Sequence, residues 1–347
     1  MGEALELTAG APLEAQRYPV GRRSTLVVDP QRSGRMLGVE MWYPAAESGE
    51  PYTAYELFPG ASFQSAGAQH EVVARSGQYP LIVFSHGRTG MRFAYAMICE
   101  ALAARGAVVV SSDHPGDSLF DWLLGTNTDD RTNEVNRVAD AHLILDTFLA
   151  LPGDLVPIDV ANAIDHTKVA LAGHSYGAFT AFATAAGSRG VAAHPKVQAV
   201  VGMQPYTSIM SDGLLSGIDV PTLLIISMDD TSTPPDSNAD RPWALLPGKP
   251  VWRLDIAGAA HQACSDVPLY AELAGRIPGL PAIARDYLQS SAIGTAVVGD
   301  RSWRQVMQVH VEAVWAFLQV VLDLDVDEGR AAAERLEQLP GLVLRCR

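Results

Sequence analysis

Residues 168–186 read KVALAGHSYGAFTAFATAA, and this stretch decides the fold expected for the chain. The apolar run Lys168–Ala172 predicts a buried strand, and the Ala-rich segment Ala178–Ala186 predicts a helix. Between them, Gly173-His174-Ser175-Tyr176-Gly177 matches the pattern G-x-S-x-G, which lifts a serine hydroxyl onto a tight strand-to-helix turn. Ser175 is therefore the candidate nucleophile, because only glycine at both flanking positions lets the chain bend so sharply.

The sequence on both sides of this stretch alternates between short apolar runs and segments with helical periodicity. Seven further strands are expected, at 24–29, 36–43, 81–84, 107–111, 197–201, 222–226 and 251–256, and helices at 90–105, 131–151 and about 303–324. This order predicts an α/β fold with a mostly parallel central sheet and helices on both faces. Functional loops are then expected at the carboxyl ends of the strands.

The length and composition fit one large domain. The chain has 347 residues, of which 48% are hydrophobic and 18% charged, so it has enough apolar material for a large core. We expect residues 1–325 to form a single domain and residues 326–347 a C-terminal extension. Two polar or proline-bearing segments, 113–130 and 262–301, are expected as excursions over the active site that shape a substrate pocket.

The balance of charge limits the partners of this chain. Lys plus Arg is 25 and Asp plus Glu is 39, a formal net charge of -14, which repels nucleic acid and anionic membrane surfaces. The N-terminus lacks the apolar segment of a signal peptide, and no run approaches the length of a membrane span, so a cytoplasmic protein is expected. Three scattered cysteines form neither a metal-ligand pattern nor a disulfide framework. The oligomeric state stays open.

A serine hydroxyl needs a base to remove its proton, and the base needs an acid to orient it. His261 follows the strand expected at 251–256, in a loop at a strand end, and is the candidate base. Asp229 and Asp230 directly follow the strand expected at 222–226, so either carboxylate has the right position. Serine, acid and histidine then come in the chain order that this kind of strand–turn–helix site uses.

Acyl transfer also needs donors for the oxyanion. We expect the backbone N–H of Tyr176, the residue after the nucleophile, to supply one donor. The loop Ser85–Gly90 (SHGRTG) follows an early strand, and the N–H of Arg88 is the candidate for the second donor. The side chains expected to line the substrate pocket are Phe120, Trp122, Met203 and Tyr206.

Several of these motifs together resemble a known family. The motifs are 41–45 (MWYPA), 84–87 (FSHG), 112–116 (SDHPG), 173–177 (GHSYG) and 261–262 (HQ). Over residues 20–325 the chain resembles the α/β-hydrolase superfamily, and within it the platelet-activating-factor acetylhydrolase group and the related bacterial predicted dienelactone hydrolases. The resemblance implies a Ser-His-Asp triad, no cofactor, and esters with short or accessible acyl groups. True dienelactone hydrolases carry cysteine where this chain has serine.

A second resemblance separates the two aspartates. Residues 230–234 (DTSTP) resemble the acid-bearing loop of bacterial cutinase-like polyester hydrolases, which favours Asp230 over Asp229 as the triad acid.

The sequence therefore predicts a serine hydrolase that cleaves carboxylic esters through an acyl-enzyme on Ser175, without cofactor or metal. Its expected partner is a small-molecule or polymeric ester. Alternatives with the same triad are a polyester (cutinase-like) or amide hydrolase, and the same fold also allows a non-catalytic binding protein. Metal-dependent hydrolysis through His86 and His114 is a further alternative, but no paired spacing of ligands supports it.

Overall fold

The computed structural model describes residues 18–150, 155–291 and 298–347, and in these ranges the strands form one sheet. The strands are β1 Val20–Asp29, β2 Arg35–Pro44, β3 Tyr52–Phe58, β4 Ala61–His70, β5 Tyr79–Ser85, β6 Val108–Ser112, β7 Ile164–His174, β8 Ala199–Met203, β9 Thr222–Ser227, β10 Val251–Ile256 and β11 Leu342–Cys346. Their spatial order is β11-β10-β9-β8-β7-β5-β6-β2-β1-β4-β3. The run from β10 to β6 is parallel throughout, whereas β2, which follows β6, is antiparallel to it.

Helices cover both faces of this sheet. They are α1 Ala96–Arg105, α2 Leu119–Leu124, α3 Asp130–Leu149, α4 Ile158–Ala163, α5 Tyr176–Ala186, α6 Asp212–Leu215, α7 Arg241–Leu245, α8 Val267–Leu273, α9 Ala282–Ser291, α10 Trp303–Val321 and α11 Val326–Glu337, with a π-helical turn at Asp236–Asp240. No helix among the described ranges is long and apolar enough to cross a membrane.

Alternation along the central strands builds two cores. Successive side chains of a strand point to opposite faces. In β5, Ile82 and Phe84 pack into the core that contains α1 and α10, whereas Leu81 and Val83 pack into the core that contains α3 and α5. Since both faces are covered, the central strands are mainly apolar, and the mostly parallel sheet between two helical layers confirms the predicted fold class.

The two edges of the sheet differ from the sequence-based expectation. No strands were predicted between residues 44 and 79, but β3 and β4 form an antiparallel hairpin there. The side chains of β3 alternate between exposed and buried, as in a strand with one solvated face. At the other edge, the expected C-terminal extension supplies α11 and β11, and β11 pairs antiparallel with β10 from Leu342 opposite Ile256 to Cys346 opposite Trp252.

Short helices occupy the segments expected as excursions. Segment 113–130 contains α2, whose start has a capping box between Ser118 and Asp121. Segment 262–301 contains α8 and α9 within its described part. The helix expected at 90–105 begins only at Ala96, and it ends at Gly106, whose φ of 111° belongs to the left-handed region that glycine favours.

Candidate active site

Ser175 lies in the turn between β7 and α5 with strained backbone angles, φ 55° and ψ −119°. Its N–H donates to the carbonyl of Met203 on the neighbouring strand at 2.9 Å. A Cβ at Gly177 would lie 2.0 Å from the carbonyl oxygen of Ser85, and a Cβ at Gly173 would lie 2.3 Å from the backbone of Gly177. Both glycines are therefore required by close backbone approach, and this approach keeps Ser175 in its unusual conformation.

His261, the expected base, lies within hydrogen-bonding distance of Ser175 and of Asp230, the expected acid. His261 Nε2 is 3.0 Å from Ser175 Oγ, and His261 Nδ1 is 2.7 Å from Asp230 Oδ2. These side chains come from loops after β10 and β9, which reach the same edge of the sheet as the turn after β7. Because the carboxylate can only accept from Nδ1–H, it leaves Nε2 free to accept the proton of the serine hydroxyl.

The loop around Asp230 holds its carboxylate ionised. Oδ1 accepts from the N–H groups of Ser232 at 2.8 Å and Thr233 at 2.9 Å, and Oδ2 accepts from the Thr233 hydroxyl at 2.7 Å. Burial opposes ionisation, but the hydrogen bond from His261 and these donors lower the pKa of Asp230 to about 2. Asp229 is exposed, and its N–H donates to the carbonyl of Ala259. The geometry thus favours Asp230 as the partner of His261.

The loop Ser85–Gly90 lies beside the nucleophile. A Cβ at Gly87 would be 3.4 Å from Ser175 Cβ, so this loop lies in van der Waals contact with the serine. Arg88 is the next residue, and its side chain forms an ion pair with Asp130 at 2.8 Å and lies over the ring of Tyr176. Tyr176 is the first residue of α5, where the partial positive charge of a helix N-terminus favours developing negative charge.

Arg137 of α3 contacts the loop Ser85–Gly90 and was not among the site residues predicted from the sequence. The side chain is fully buried and forms an ion pair with Asp117 at 2.7 Å. A helical signal for it exists, because Arg137 lies four and seven residues before the buried Ala141 and Ile144, on the face of α3 that enters the core. A charged residue on that face indicates a specific buried partner.

An apolar cavity of about 400 Å³ opens beside His261. Its walls come from the β3–β4 hairpin, the loop after β5, α2, α8 and α9. The lining residues are Leu57, Phe58, Arg88, Thr89, Met91, Leu119, Trp122, Leu123, Ser232, His261, Gln262, Val267, Tyr270, Ile283, Ala284, Tyr287 and Leu288. Both expected excursions, 113–130 and 262–301, therefore contribute side chains to this cavity.

The structure separates the four side chains expected to line a pocket. Trp122 lines the cavity and packs on Tyr287, with ring centroids 5.4 Å apart. Phe120 does not line the cavity. It packs edge-on against Phe58, and Phe58 does line the cavity. Met203 is fully buried below the Ser175 turn.

Tyr206 also lies outside the cavity lining. Its N–H donates to the carbonyl of Ser175 at 3.1 Å, and its ring packs against that of Tyr176. Met203 and Tyr206 thus bond the turn with Ser175 through backbone groups, and Tyr206 also contacts it through its ring.

His86 and His114, considered above as metal ligands, are engaged with protein groups. His86 Nδ1 is 2.7 Å from the carbonyl of Gly87, and its Nε2 accepts from the N–H of His114 at 3.3 Å. His114 Nδ1 is 3.0 Å from the carboxylate of Asp140. No group of three or more His, Cys, Asp or Glu side chains in the described part of the chain has an arrangement that could hold a metal ion.

The overall fold has a counterpart in a solved structure. The chain is similar to a ferulic acid esterase from Streptomyces cinnamoneus, with a TM-score of 0.67, 24% sequence identity, and coverage of 91% of this chain and 93% of that chain. The chain has the α/β-hydrolase fold. Ser175, Asp230 and His261 follow one another along the chain in the order expected for a triad on this fold.

A family model described as Chlorophyllase matches residues 71–215 of the chain. The matched segment includes the loop Ser85–Gly90 and the turn with Ser175, and it ends before Asp230 and His261. The narrower resemblance to the platelet-activating-factor acetylhydrolase group stays a prediction.

Proposed function

We propose that this protein is a serine hydrolase that cleaves carboxylic esters through an acyl-enzyme on Ser175. One observation carries the proposal. Ser175, strained at φ 55°, has its hydroxyl 3.0 Å from His261 Nε2, while the opposite ring nitrogen lies 2.7 Å from a buried, ionised Asp230. A nucleophile, a base and a group that orients the base are the parts that acyl transfer requires.

The reaction proceeds in two proton-balanced halves. Ser175 Oγ attacks the ester carbonyl while its proton moves to His261 Nε2, and the carbonyl oxygen becomes an oxyanion bound by the N–H groups of Arg88 and Tyr176. The C–O bond to the alcohol then breaks, and Nε2 returns the proton to the leaving oxygen. Water attacks the acyl carbon while Nε2 accepts one of its protons. The bond from the acyl carbon to Ser175 Oγ then breaks, Nε2 returns the proton to Oγ, and the carboxylic acid leaves.

The cavity indicates which esters fit. Its walls are mainly aliphatic and aromatic, and its one cationic side chain, Arg88, is paired with Asp130. Burying an ionised group against such walls is unfavourable, so the part of the ester that enters the cavity is expected to be uncharged and apolar. The similar solved structure is named an esterase, which supports an ester over an amide as the bond cleaved.

Labelling with an alkyl fluorophosphonate tests the proposal. We expect one adduct per chain on the peptide that contains Ser175, and none in the Ser175→Ala variant. This result requires an activated serine, because an ordinary hydroxyl is a poor nucleophile. The absence of an adduct on wild-type protein would contradict the proposal and favour a binding protein with this fold.

Matched substrates then distinguish the alternatives that share the triad. Wild-type protein is given an ester, its amide with the same acyl group, and an insoluble polyester. We expect the soluble ester to be hydrolysed much faster per active site than the amide. A faster release of product from the polyester would instead favour the polyester hydrolase, and comparable ester and amide rates would favour the amidase.

A further inference from the structure

We infer that Arg137 is a positioning residue for the oxyanion hole, which it holds in shape by fixing the peptide between Gly87 and Arg88. The inference rests on the proposed function, because it concerns the donors that stabilise the oxyanion of acyl transfer. Arg137 lies on α3 and lies apart from the serine, the histidine and the aspartate of the proposed triad.

The carbonyl oxygen of Gly87 is the centre of this arrangement. It accepts from Arg137 Nη2 at 3.1 Å, from the N–H of Gly90 at 3.2 Å, and faces His86 Nδ1 at 2.7 Å. Arg137 Nη1 also donates to the carbonyl of His86 at 2.9 Å. One guanidinium therefore binds two successive carbonyls of the loop, which a planar fork of donors does better than any other side chain.

The tautomer of His86 follows from its neighbours. Nε2 accepts from the N–H of His114, so the proton of the neutral ring is on Nδ1, where it donates to Gly87 O. The ring stays neutral because burial, together with the positive charge of Arg137, lowers the pKa of His86 well below its ordinary value. Gly87 O thus has donors on the side of α3.

The direction of the Arg88 N–H follows from the planar peptide. In a trans peptide the C=O of one residue and the N–H of the next point in opposite directions. Since the Gly87 C=O points to Arg137, the Arg88 N–H points away from α3. Ser175 lies next to Gly87, and Arg88 lines the cavity together with His261, so we place this N–H toward both. This is the direction in which an oxyanion donor must point.

Arg137 also contacts Tyr176, whose N–H is the other expected oxyanion donor. Its guanidinium lies over the ring of Tyr176, 4.7 Å from the centroid, and Nη1 is 3.4 Å from the hydroxyl of Thr180 on α5. The carboxylate of Asp117 neutralises the buried charge and accepts from the N–H of Thr89 at 3.2 Å. Arg137 and Asp117 together connect the loop after β5 to the first turn of α5, and so fix the two donors relative to each other.

The test removes the guanidinium together with its counter-charge, so that the double variant buries neither charge unpaired. Asp117→Asn keeps an oxygen that can accept from Thr89, and Arg137→Met is then added in that background. Fluorophosphonate titration counts the competent nucleophiles, and kcat per titrated site, KM and the pH profile are compared between the double and the single variant. Arg105→Met serves as a stability control, since Arg105 is a buried, ion-paired arginine on α1 whose partners are Ala101 and Glu312.

We expect both Asp117 variants to titrate completely, and kcat per titrated site to fall by about 100-fold in the double variant relative to Asp117→Asn. KM and the pH profile should be unchanged, because the base and the cavity are intact. Arg105→Met should lower Tm but not kcat per titrated site. Equal turnover per titrated site in the two Asp117 variants, or a loss explained by fewer titratable sites, would overturn the inference. Wild-type protein without an adduct would instead overturn the proposed function and, with it, this role.

Discussion

His174 donates a hydrogen bond from Nε2 to the backbone carbonyl of His261, at 2.9 Å. The carbonyl can only accept, so Nδ1 of the neutral His174 is the acceptor for the Tyr95 hydroxyl at 2.6 Å. Burial, with a further contribution from the nearby His261, lowers the pKa of His174 well below its ordinary value and keeps this ring neutral. His174, the residue before the proposed nucleophile Ser175, therefore fixes the backbone of the proposed base His261.

Removing the Tyr95 hydroxyl should make the position of His261 less well fixed. In Tyr95→Phe the buried Nδ1 of His174 loses its donor, so we expect a stability loss of about 1–2 kcal/mol and a fall in kcat/KM of about tenfold. Urea unfolding and steady-state kinetics measure the two effects. Tyr43→Phe is the matched control, because Tyr43 donates to the carbonyl of Val72 at 2.7 Å away from the site. An equal loss of kcat/KM in both variants would count against this role of Tyr95.

The two aspartates after β9 should differ sharply in their importance. Asp230→Asn removes the acceptor that selects the Nδ1–H tautomer of His261, and we expect kcat to fall by about 10⁴-fold. Asp229→Asn alters an exposed side chain, and we expect kcat to stay within about twofold of wild type. Steady-state kinetics at one pH is sufficient. A larger loss in Asp229→Asn than in Asp230→Asn would reverse the assignment of the acid.

Glycine at position 177 should be irreplaceable. The Cβ in Gly177→Ala would lie 2.0 Å from the carbonyl oxygen of Ser85, and since this contact is with backbone, the strand or the turn must shift. We expect a stability loss of about 3 kcal/mol or more, together with loss of fluorophosphonate labelling. Gly213→Ala, in α6, meets nothing closer than Ser211 Oγ at 3.9 Å and should be neutral or slightly stabilising. Thermal unfolding of both variants compares them.

Asp266 should make stability depend on pH. Burial raises its pKa to about 8, against the effect of the Met97 N–H, which donates to the carboxylate at 3.3 Å. The folded protein then keeps a proton that the unfolded chain releases, so this contribution to stability falls as the pH rises from about 4 to about 8. Asp266→Asn has no such titration. Its Tm should therefore rise relative to wild type between about pH 5 and about pH 8.5, and a constant difference would contradict the prediction.

Trp122 should contribute to the binding of large apolar groups. Its side chain is 44% exposed, so Trp122→Ala is expected to fold, while the contact with Tyr287 at the cavity is lost. We expect KM for a hexanoate ester to rise by about tenfold and KM for an acetate ester to change little, because only the longer chain reaches the apolar wall. An equal change in both KM values would mean that the cavity does not hold the longer chain.

The sequence by itself determined the central fold and the place of Ser175, the proposed nucleophile, in a strand-to-helix turn. Apolar runs such as Leu81–Phe84 predict strands because a strand covered on both faces has no polar side, and β5 lies there. The spacing of Gly173, Ser175 and Gly177 was informative because two backbone segments approach there without room for a Cβ. The peripheral hairpin β3–β4 was not predicted, although its side chains alternate between buried and exposed.

Only the tertiary structure decided how distant segments meet. The positions of Asp229 and Asp230 in the sequence fit the role of the triad acid equally well, and the preference for Asp230 came from a resemblance to a known loop. In the fold, Asp230 turns its carboxylate to His261 while Asp229 faces solvent. The partnership between Arg137 and Gly87 spans 50 residues, and the cavity joins five separate parts of the chain. Such contacts depend on the packing of helices and loops against the sheet, and periodicity along one element shows which face is buried but not which residues that face meets.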